Sequence, residues 1–242
     1  MDKSKILQSK FSSQIYAEIG ELNHTARELQ SAGLAPGSPE TLAELSDPIL
    51  RPRHPSEPIA SHAVPTVDIT LDKDIFGTVI RDARRGVSAG IAGLRNEYLR
   101  LSLDDDLLFD SLYDLALILA RDQVPTEVSN FLKLARLTAL LKPNGRIRGI
   151  SSGDTFRRLV SKTIARQKQA VLRTLVEPHN FGISAKCGTD GLIHLIQFLL
   201  DEDPLRVLLS IDGVAAFYHV CRARIFEQLL RQEDLHSLVP FV

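Results

Sequence analysis

The sequence predicts an α+β fold in which helices predominate, preceded by an N-terminal helix and a Pro-rich linker. Three observations carry this prediction. Apolar side chains recur at helical spacing in several segments, Asn144-Gly145 separates two short apolar runs, and the apolar run Arg206–Ile211 ends at one carboxylate, Asp212. Because the predicted order is helices, hairpin, two helices, strand and helix, a repeating βαβ chain is not expected.

The first seventy residues form two predicted parts. Apolar residues spaced by three or four positions indicate a helix between residues 4 and 30. These residues are Leu7, Phe11, Ile15, Ile19, Leu22, Ala26 and Leu29. Seven of the twelve prolines then lie between Pro36 and Pro65, which is typical of a linker or an extended arm. We therefore assign residues 1–34 to a helical segment, 35–70 to the linker and 71–242 to the main domain.

The main domain begins with predicted helices. In DKDIFGTVIRDARRG one helical face carries Ile75, Val79, Ile80 and Ala83, and Gly86 is a plausible stop. A Gly-rich loop, GVSAGIAGL, follows. The acids Asp104 to Asp106 stand at the start of the next helix, where the macrodipole favours negative charge; a metal cluster is the alternative interpretation.

The second half combines a hairpin with further helices. Asn-Gly between the apolar stretches of LARLTALLKPNGRIRGIS predicts a β-hairpin. Helical periodicity predicts helices over about 155–174, 189–200 and 222–231. The run of residues 206–211 predicts a strand, whose edge we expect to be open and whose surroundings after about Leu205 we expect to be the least stably packed.

Composition limits the class of protein. Of the 242 residues, 44% are hydrophobic and 24% charged, as in ordinary globular proteins. No apolar run approaches the roughly 18 residues of a membrane span, and the polar start is no secretory signal, so we expect an intracellular protein with no membrane partner. Cys187 and Cys221 cannot form a disulfide framework. His219-x-Cys221 is the nearest approach to a metal motif and is better explained by bystander residues.

The net charge of −1 hides an uneven distribution. Between Arg121 and Lys186 there are thirteen Lys or Arg and four Asp or Glu, a net of +9, whereas the rest of the chain carries −10. A block of this kind is typical of phosphate binding. A solvated helix face is the alternative.

Four segments, taken together, resemble the reverse transcriptase domain of non-LTR (LINE-type) retrotransposons. LLKPNGRIRGISSGDTFRRLVSKTIARQ resembles its fingers hairpin and following helix, and VLLSIDGVAAFYHVCRARIFEQL resembles motif A of its palm. NFGISAKCGTDGLIHLI is similar to the segment of Gln-x-Gly-Phe type, and RRGVSAGIAGLRNEYLRL to the upstream Gly-Pro-Asp-Gly segment. The resemblance implies a partial right-hand polymerase fold, with fingers and the first part of the palm.

The resemblance also implies a chemistry. These polymerases use two Mg²⁺ ions to align the primer 3′-hydroxyl with the incoming triphosphate. Asp212 corresponds to the motif A ligand, and the Gly213 carbonyl to a further metal contact. Phe217 corresponds to the aromatic residue that excludes a 2′-hydroxyl. From the residues alone, Asp212 as a helix cap or turn residue with Phe217 in the core is the alternative.

Basic residues receive roles in the same way. Lys142 and Arg148 correspond to the residues that contact the triphosphate, and Arg146 would share a strand face with Arg148. On the next helix, contacts to template phosphates are implied for Arg157, Arg158, Lys162 and Arg166. Exposed arginines with no partner are the alternative for Arg157 and Arg158. The implied partners are dNTP and an RNA or DNA template-primer, and retroelement origin suggests nuclear residence.

One feature of the family is not found in this sequence. The Tyr/Phe-x-Asp-Asp turn of motif C, which supplies the remaining metal ligands, would follow Val242. We therefore expect a fragment that does not polymerise DNA by itself. Two other hypotheses remain: a non-catalytic nucleic-acid-binding or interaction protein built on this scaffold, and an unrelated helical adaptor.

Overall fold

The structure is a computed structural model, and it describes residues 14, 18, 33–52, 68–183, 185–203, 205–213 and 216–242. The predicted N-terminal helix lies outside these residues except for Gln14 and Glu18, which are helical, and the linker residues 53–67 also lie outside them. The described part is mostly helical and has one two-stranded antiparallel sheet. This confirms the predicted α+β class. No helix in the described ranges is long and apolar enough to cross a membrane.

The described residues form ten helices and two strands. The helices are α1 (Pro39–Leu45), α2 (Lys73–Arg81), α3 (Asn96–Arg100), α4 (Asp106–Ala120), α5 (Thr126–Leu132), α6 (Thr155–Gln167), α7 (Gln169–Val176), α8 (Gly188–Glu202), α9 (Ala216–His219) and α10 (Arg222–Leu230). The strands are β1 (Ala135–Leu141) and β2 (Ile147–Gly153). Two 3₁₀ segments are formed by Leu101–Asp104 and Glu233–Leu238.

The chain divides into two compact units, Met1–Arg51 with Leu137–Ser151, and Pro52–Arg136 with Ser152–Val242. In the first unit, helix α1 is tied to the hairpin because the Glu44 carboxylate accepts a 2.8 Å hydrogen bond from the Ile147 N–H. An isolated antiparallel bridge joins Leu34 to Leu140 on the other edge of β1. The hairpin is thus supported on both sides by residues that precede it by about one hundred positions.

The second unit contains a helical core. The predicted face of α2 is confirmed for Val79 and Ile80, which are buried, and for Ile75, which packs against the core. Ala83 is also buried but follows the helix, which ends at Arg81 and not near Gly86 as predicted. Helices α4 and α6 and the last 3₁₀ segment complete it, with buried Ala116, Leu119, Leu159, Val160, Leu235 and Leu238. Burial of these side chains is the main stabilising contribution to the unit.

Acidic caps fix where the helices begin. The Asp105 side chain accepts a 3.0 Å hydrogen bond from the Leu108 N–H, and Asp106 lies in the first turn of α4. The prediction that the Asp104–Asp106 run marks a helix start is therefore confirmed.

Two predicted elements differ from the structure. The helix predicted over 155–174 is interrupted at Lys168, whose ammonium group donates to the Asp234 carbonyl oxygen. The strand predicted over 206–211 is wrong, because residues 205–213 form neither helix nor strand. A strand requires a hydrogen-bonded neighbour, and the sheet of the described residues contains only β1 and β2.

Candidate functional site

The hairpin turn has the geometry that its Asn-Gly pair predicts. The Gly145 N–H donates to the Lys142 carbonyl oxygen, and the Lys142 N–H donates to the Arg146 carbonyl oxygen. Gly145 has a φ of +79°, a conformation that glycine adopts without strain. Asn144 supports the turn through its side-chain oxygen, which accepts from the Arg146 N–H at 3.2 Å. The turn therefore places Lys142 and Arg146 opposite each other at the end of the two strands.

The three basic residues of the hairpin share one face. Because side chains alternate along a strand, Arg146 and Arg148 project to the same side, and Lys142 does so by its pairing with Arg146. Gly149 lies on the opposite side, where an added Cβ would meet Leu45 and Leu137. The last residue of helix α1 thus lies against the face of the hairpin that Gly149 occupies, and the cations project from the other face. Arg146 and Arg148 are exposed and Lys142 is half-buried.

In the second unit, Arg157 and Arg158 on α6 bind protein groups. The Arg157 guanidinium donates to the Phe241 carbonyl oxygen at 3.1 Å and stacks over its ring at 5.0 Å. Arg158 donates to the Ser88 carbonyl oxygen at 2.8 Å and to the Thr155 hydroxyl at 3.1 Å. Both side chains are half-buried and hold neighbouring segments on the helix, so the alternative of exposed arginines without a partner is wrong.

The other two basic residues assigned to α6 differ in their surroundings. Arg166 forms a 3.0 Å ion pair with Asp82 of the segment after α2. Lys162 is exposed. Of the four α6 cations assigned to template phosphates, Lys162 is therefore the most accessible to a polyanion.

The residues that the sequence resemblance assigned to motif A lie at the surface. Asp212 and Gly213 are exposed in the irregular segment 205–213, and Phe217 of α9 is 96% exposed. The alternative that Phe217 belongs to the core is therefore wrong. Within the described ranges no group of three His, Cys, Asp or Glu side chains is arranged to hold a metal ion. The Asp212 carboxylate and the Gly213 carbonyl are hard oxygen donors of the kind that Mg²⁺ prefers, and two donors are fewer than its coordination requires.

The segment similar to the Gln-x-Gly-Phe type forms a compact turn before α8. The Asn180 side-chain oxygen accepts from the Gly182 N–H at 2.8 Å and from the Ile183 N–H at 2.9 Å. The Phe181 carbonyl lies against Gly188, where a Cβ would overlap it. Glycine at position 188 is therefore required for close packing of this turn on the helix.

The Gly-rich loop before α3 is anchored by side chains and by close packing. The Glu97 carboxylate accepts a 2.6 Å hydrogen bond from the Gly86 N–H. A Cβ at Gly90 would lie 2.8 Å from the Gly153 carbonyl oxygen and from the Asp154 Cα. The loop thus lies directly against the end of β2 and the cap of α6.

The anchoring by Glu97 predicts a pH dependence. The Gly86 N–H, followed by the backbone N–H of Glu97 itself, lowers the pKa of the Glu97 carboxyl below its ordinary value of 4.5. A lowered pKa in the folded state means stability that is present above the unfolded pKa and lost as pH falls through the folded one. We expect Glu97→Gln to destabilise the chain most at pH 7 and progressively less below about pH 4.5. Urea unfolding of both proteins at several pH values measures this difference; an unchanged difference would contradict the assignment.

One residue that organises these segments was not singled out from the sequence. Asp154 is buried, and its carboxylate accepts from the N–H groups of Phe156 and Arg157 at 2.9 and 3.1 Å. An aspartate directly before an apolar helical period is a recognised start signal and could have identified it. It sets the position at which α6 begins.

Comparison with known proteins gives no relative. No protein-family model matches the chain, and no curated protein and no solved structure matches it significantly.

Proposed function

We propose that this chain is part of an RNA-directed DNA polymerase of the non-LTR retrotransposon type, comprising fingers and the start of a palm. In this proposal Lys142, Arg146 and Arg148 contact nucleotide phosphates, and Asp212 with Gly213 contributes to an Mg²⁺ site for nucleotidyl transfer. Phe217 contacts the nucleotide sugar. The sequence resemblance is the basis of these roles.

The hairpin is the observation that carries the proposal. Its Lys142, Arg146 and Arg148 lie on the face opposite to Gly149, and α1 contacts the hairpin through Leu45 beside Gly149 and Glu44 at the Ile147 N–H. An arginine guanidinium binds phosphate oxygens through two parallel hydrogen bonds, and a lysine adds a point charge. A two-stranded support with three cations on one face is suited to a polyphosphate.

A second candidate is a nucleic-acid-binding protein without catalysis. The exposed position of Asp212, with no three-ligand metal group among the described residues, favours it. Two divalent ions need several negatively charged ligands, and a single accessible carboxylate supplies only one of them. Solvent and substrate would have to supply the rest. On either hypothesis we expect the chain to bind a template-primer and not to extend it alone.

Binding of an RNA–DNA template-primer at increasing salt tests the proposal. We expect affinity to fall steeply with salt, because each phosphate contact releases counterions. Reversing two hairpin charges with Arg146→Glu and Arg148→Glu should weaken binding roughly 10- to 100-fold. The slope of log affinity against log salt concentration should also fall by the amount expected for the loss of about two phosphate contacts. Fluorescence anisotropy of a labelled duplex measures both quantities.

Matched variants separate the outcomes. Arg84→Glu with Arg85→Glu makes the same change in net charge at two exposed residues of the second unit, and should weaken binding much less. Mg²⁺-dependent incorporation of dNTP that is lost in Asp212→Asn would support the polymerase proposal and contradict the expected inactivity. If Asp212→Asn leaves the affinity for the template-primer unchanged and no dNTP is incorporated, the non-catalytic candidate is favoured. If the variant with Arg146→Glu and Arg148→Glu binds the template-primer as tightly as the original chain, both candidate functions are excluded.

A further inference from the structure

The segment from Leu205 to Gly213 exposes both its side chains and its backbone. Leu205, Val207, Leu208, Leu209 and Ile211 are between 61% and 90% exposed. Apart from the Arg206 N–H, which donates to the Asp203 carbonyl oxygen, no backbone hydrogen bond joins residues 206–213 to any part of the chain that the structure describes. Exposed apolar residues with unpaired backbone groups form an edge to which another strand can add.

The sequence of this segment is self-complementary. Five consecutive uncharged residues, Val207 to Ile211, are flanked by Arg206 on one side and Asp212 on the other. If two copies pair antiparallel about Leu209, each Arg206 lies opposite the Asp212 of the other copy. Val207, Leu209 and Ile211 then share one face in both strands, so that apolar residues also lie opposite apolar residues.

We propose that this segment, residues 206–212, associates with the same segment of a second copy of the chain as an antiparallel strand pair centred on Leu209. The interface is isologous, because one two-fold axis relates both strands. Within one chain, the Arg206 guanidinium lies 4.0 Å from the Asp203 carboxylate and its side chain is 44% exposed, so it remains accessible to a partner. The proposal does not depend on the proposed function.

Charge selects the antiparallel arrangement over the parallel one. A parallel, in-register pair would place Arg206 opposite Arg206 and Asp212 opposite Asp212, and like charges directly opposite each other are destabilising. Displacing the antiparallel register by two residues would place each charge opposite an uncharged residue. Only the pairing centred on Leu209 satisfies both charged residues and keeps the apolar residues together.

A charge exchange tests the interface. Because each dimer contains two symmetric ion pairs, Arg206→Asp turns two attractions into two repulsions, and we expect it to raise the dimer dissociation constant about tenfold or more. The combined variant Arg206→Asp with Asp212→Arg restores both pairs in reversed order, and should return the constant to within about threefold of the original. Sedimentation equilibrium of the full chain over a concentration series measures these constants.

A matched variant controls for net charge. Arg231→Asp makes the same change at an exposed residue outside the segment and should leave the dissociation constant within about twofold. A chain that stays monomeric at all concentrations overturns the proposal. It is equally overturned if Arg231→Asp weakens the dimer as much as Arg206→Asp does, or if the exchange variant fails to restore it.

Cysteine cross-linking tests the register without relying on affinity. In a background of Cys187→Ser and Cys221→Ser, Leu209→Cys places two thiols opposite each other at the two-fold axis, within disulfide range. Val207→Cys alone should cross-link poorly, whereas a mixture of Val207→Cys and Ile211→Cys chains should form the mixed dimer. Equal self-linking at positions 207 and 209 would indicate a parallel arrangement and refute the proposed register.

Discussion

Replacing Phe76 with alanine should lower the free energy of unfolding by about 3–5 kcal/mol, because it removes the largest fully buried side chain among the described residues of the second unit. The ring is 0% exposed, and its centroid lies 5.9 Å from that of Phe109 and 5.8 Å from that of Tyr113. Truncation therefore loses the transfer free energy of the ring and leaves a cavity between α2 and α4. Urea unfolding followed by circular dichroism measures the change.

Two further variants make this prediction specific. Phe76→Leu retains most of the volume and should cost less than Phe76→Ala, so it gives a measurable transition if the alanine variant does not fold. Phe217→Ala removes the same ring from a site that is 96% exposed and should change the free energy by less than about 0.5 kcal/mol. Comparable losses for Phe76→Ala and Phe217→Ala would contradict the description of the core.

The second large effect is expected at Gly188. A Cβ there would overlap the carbonyl oxygen of Phe181, so Gly188→Ala forces a backbone shift where the turn joins α8. We expect a loss of about 3 kcal/mol, at the upper end of the range for overpacked sites. The midpoint of urea unfolding and the helical circular dichroism signal report it.

Gly191 provides the control on the same helix. Its added Cβ would make an ordinary contact, 3.7 Å from Cδ1 of Phe181. Alanine is the better helix former, so Gly191→Ala should be neutral or stabilise by up to about 1 kcal/mol. A Gly188→Ala protein as stable as Gly191→Ala would show that the turn does not pack on the helix as described.

Local signals were sufficient to predict most helices and the hairpin. The periodicity of residues 75–83 identified the buried face of α2, and the acids before α4 identified its start. Asn144-Gly145 identified the turn, because few residues other than glycine adopt its left-handed conformation without strain. These features depend on residues within one or two turns of each other.

The irregular backbone of residues 206–211 could not be predicted, because their sequence meets the local requirement of a strand and lacks the non-local one. An apolar, β-branched run favours extended backbone, but a strand exists only with a hydrogen-bonded neighbour. Similarly, no proline or glycine announces the interruption at Lys168. The Lys168 ammonium group contacts the carbonyl oxygen of Asp234, a residue 66 positions further along the chain.

The candidate site shows the same limit. The basic character of α6 is evident from the sequence, but the partners of Arg157 and Arg158 are carbonyl groups 84 and 70 residues away. A count of charges does not distinguish a cation that is available to phosphate from one that is engaged within the protein. The hairpin cations, by contrast, follow from strand alternation and one turn.

The two contacts of Arg157 with Phe241 have an energetic consequence for any polyanion. A phosphate that draws the guanidinium away must first release Phe241 from its hydrogen bond and ring contact. Ligand affinity at this arginine is then reduced by the free energy of that release. By thermodynamic reciprocity, a bound phosphate weakens the attachment of Phe241 by the same factor, so that phosphate occupancy at Arg157 and the docking of Phe241 on α6 are negatively coupled.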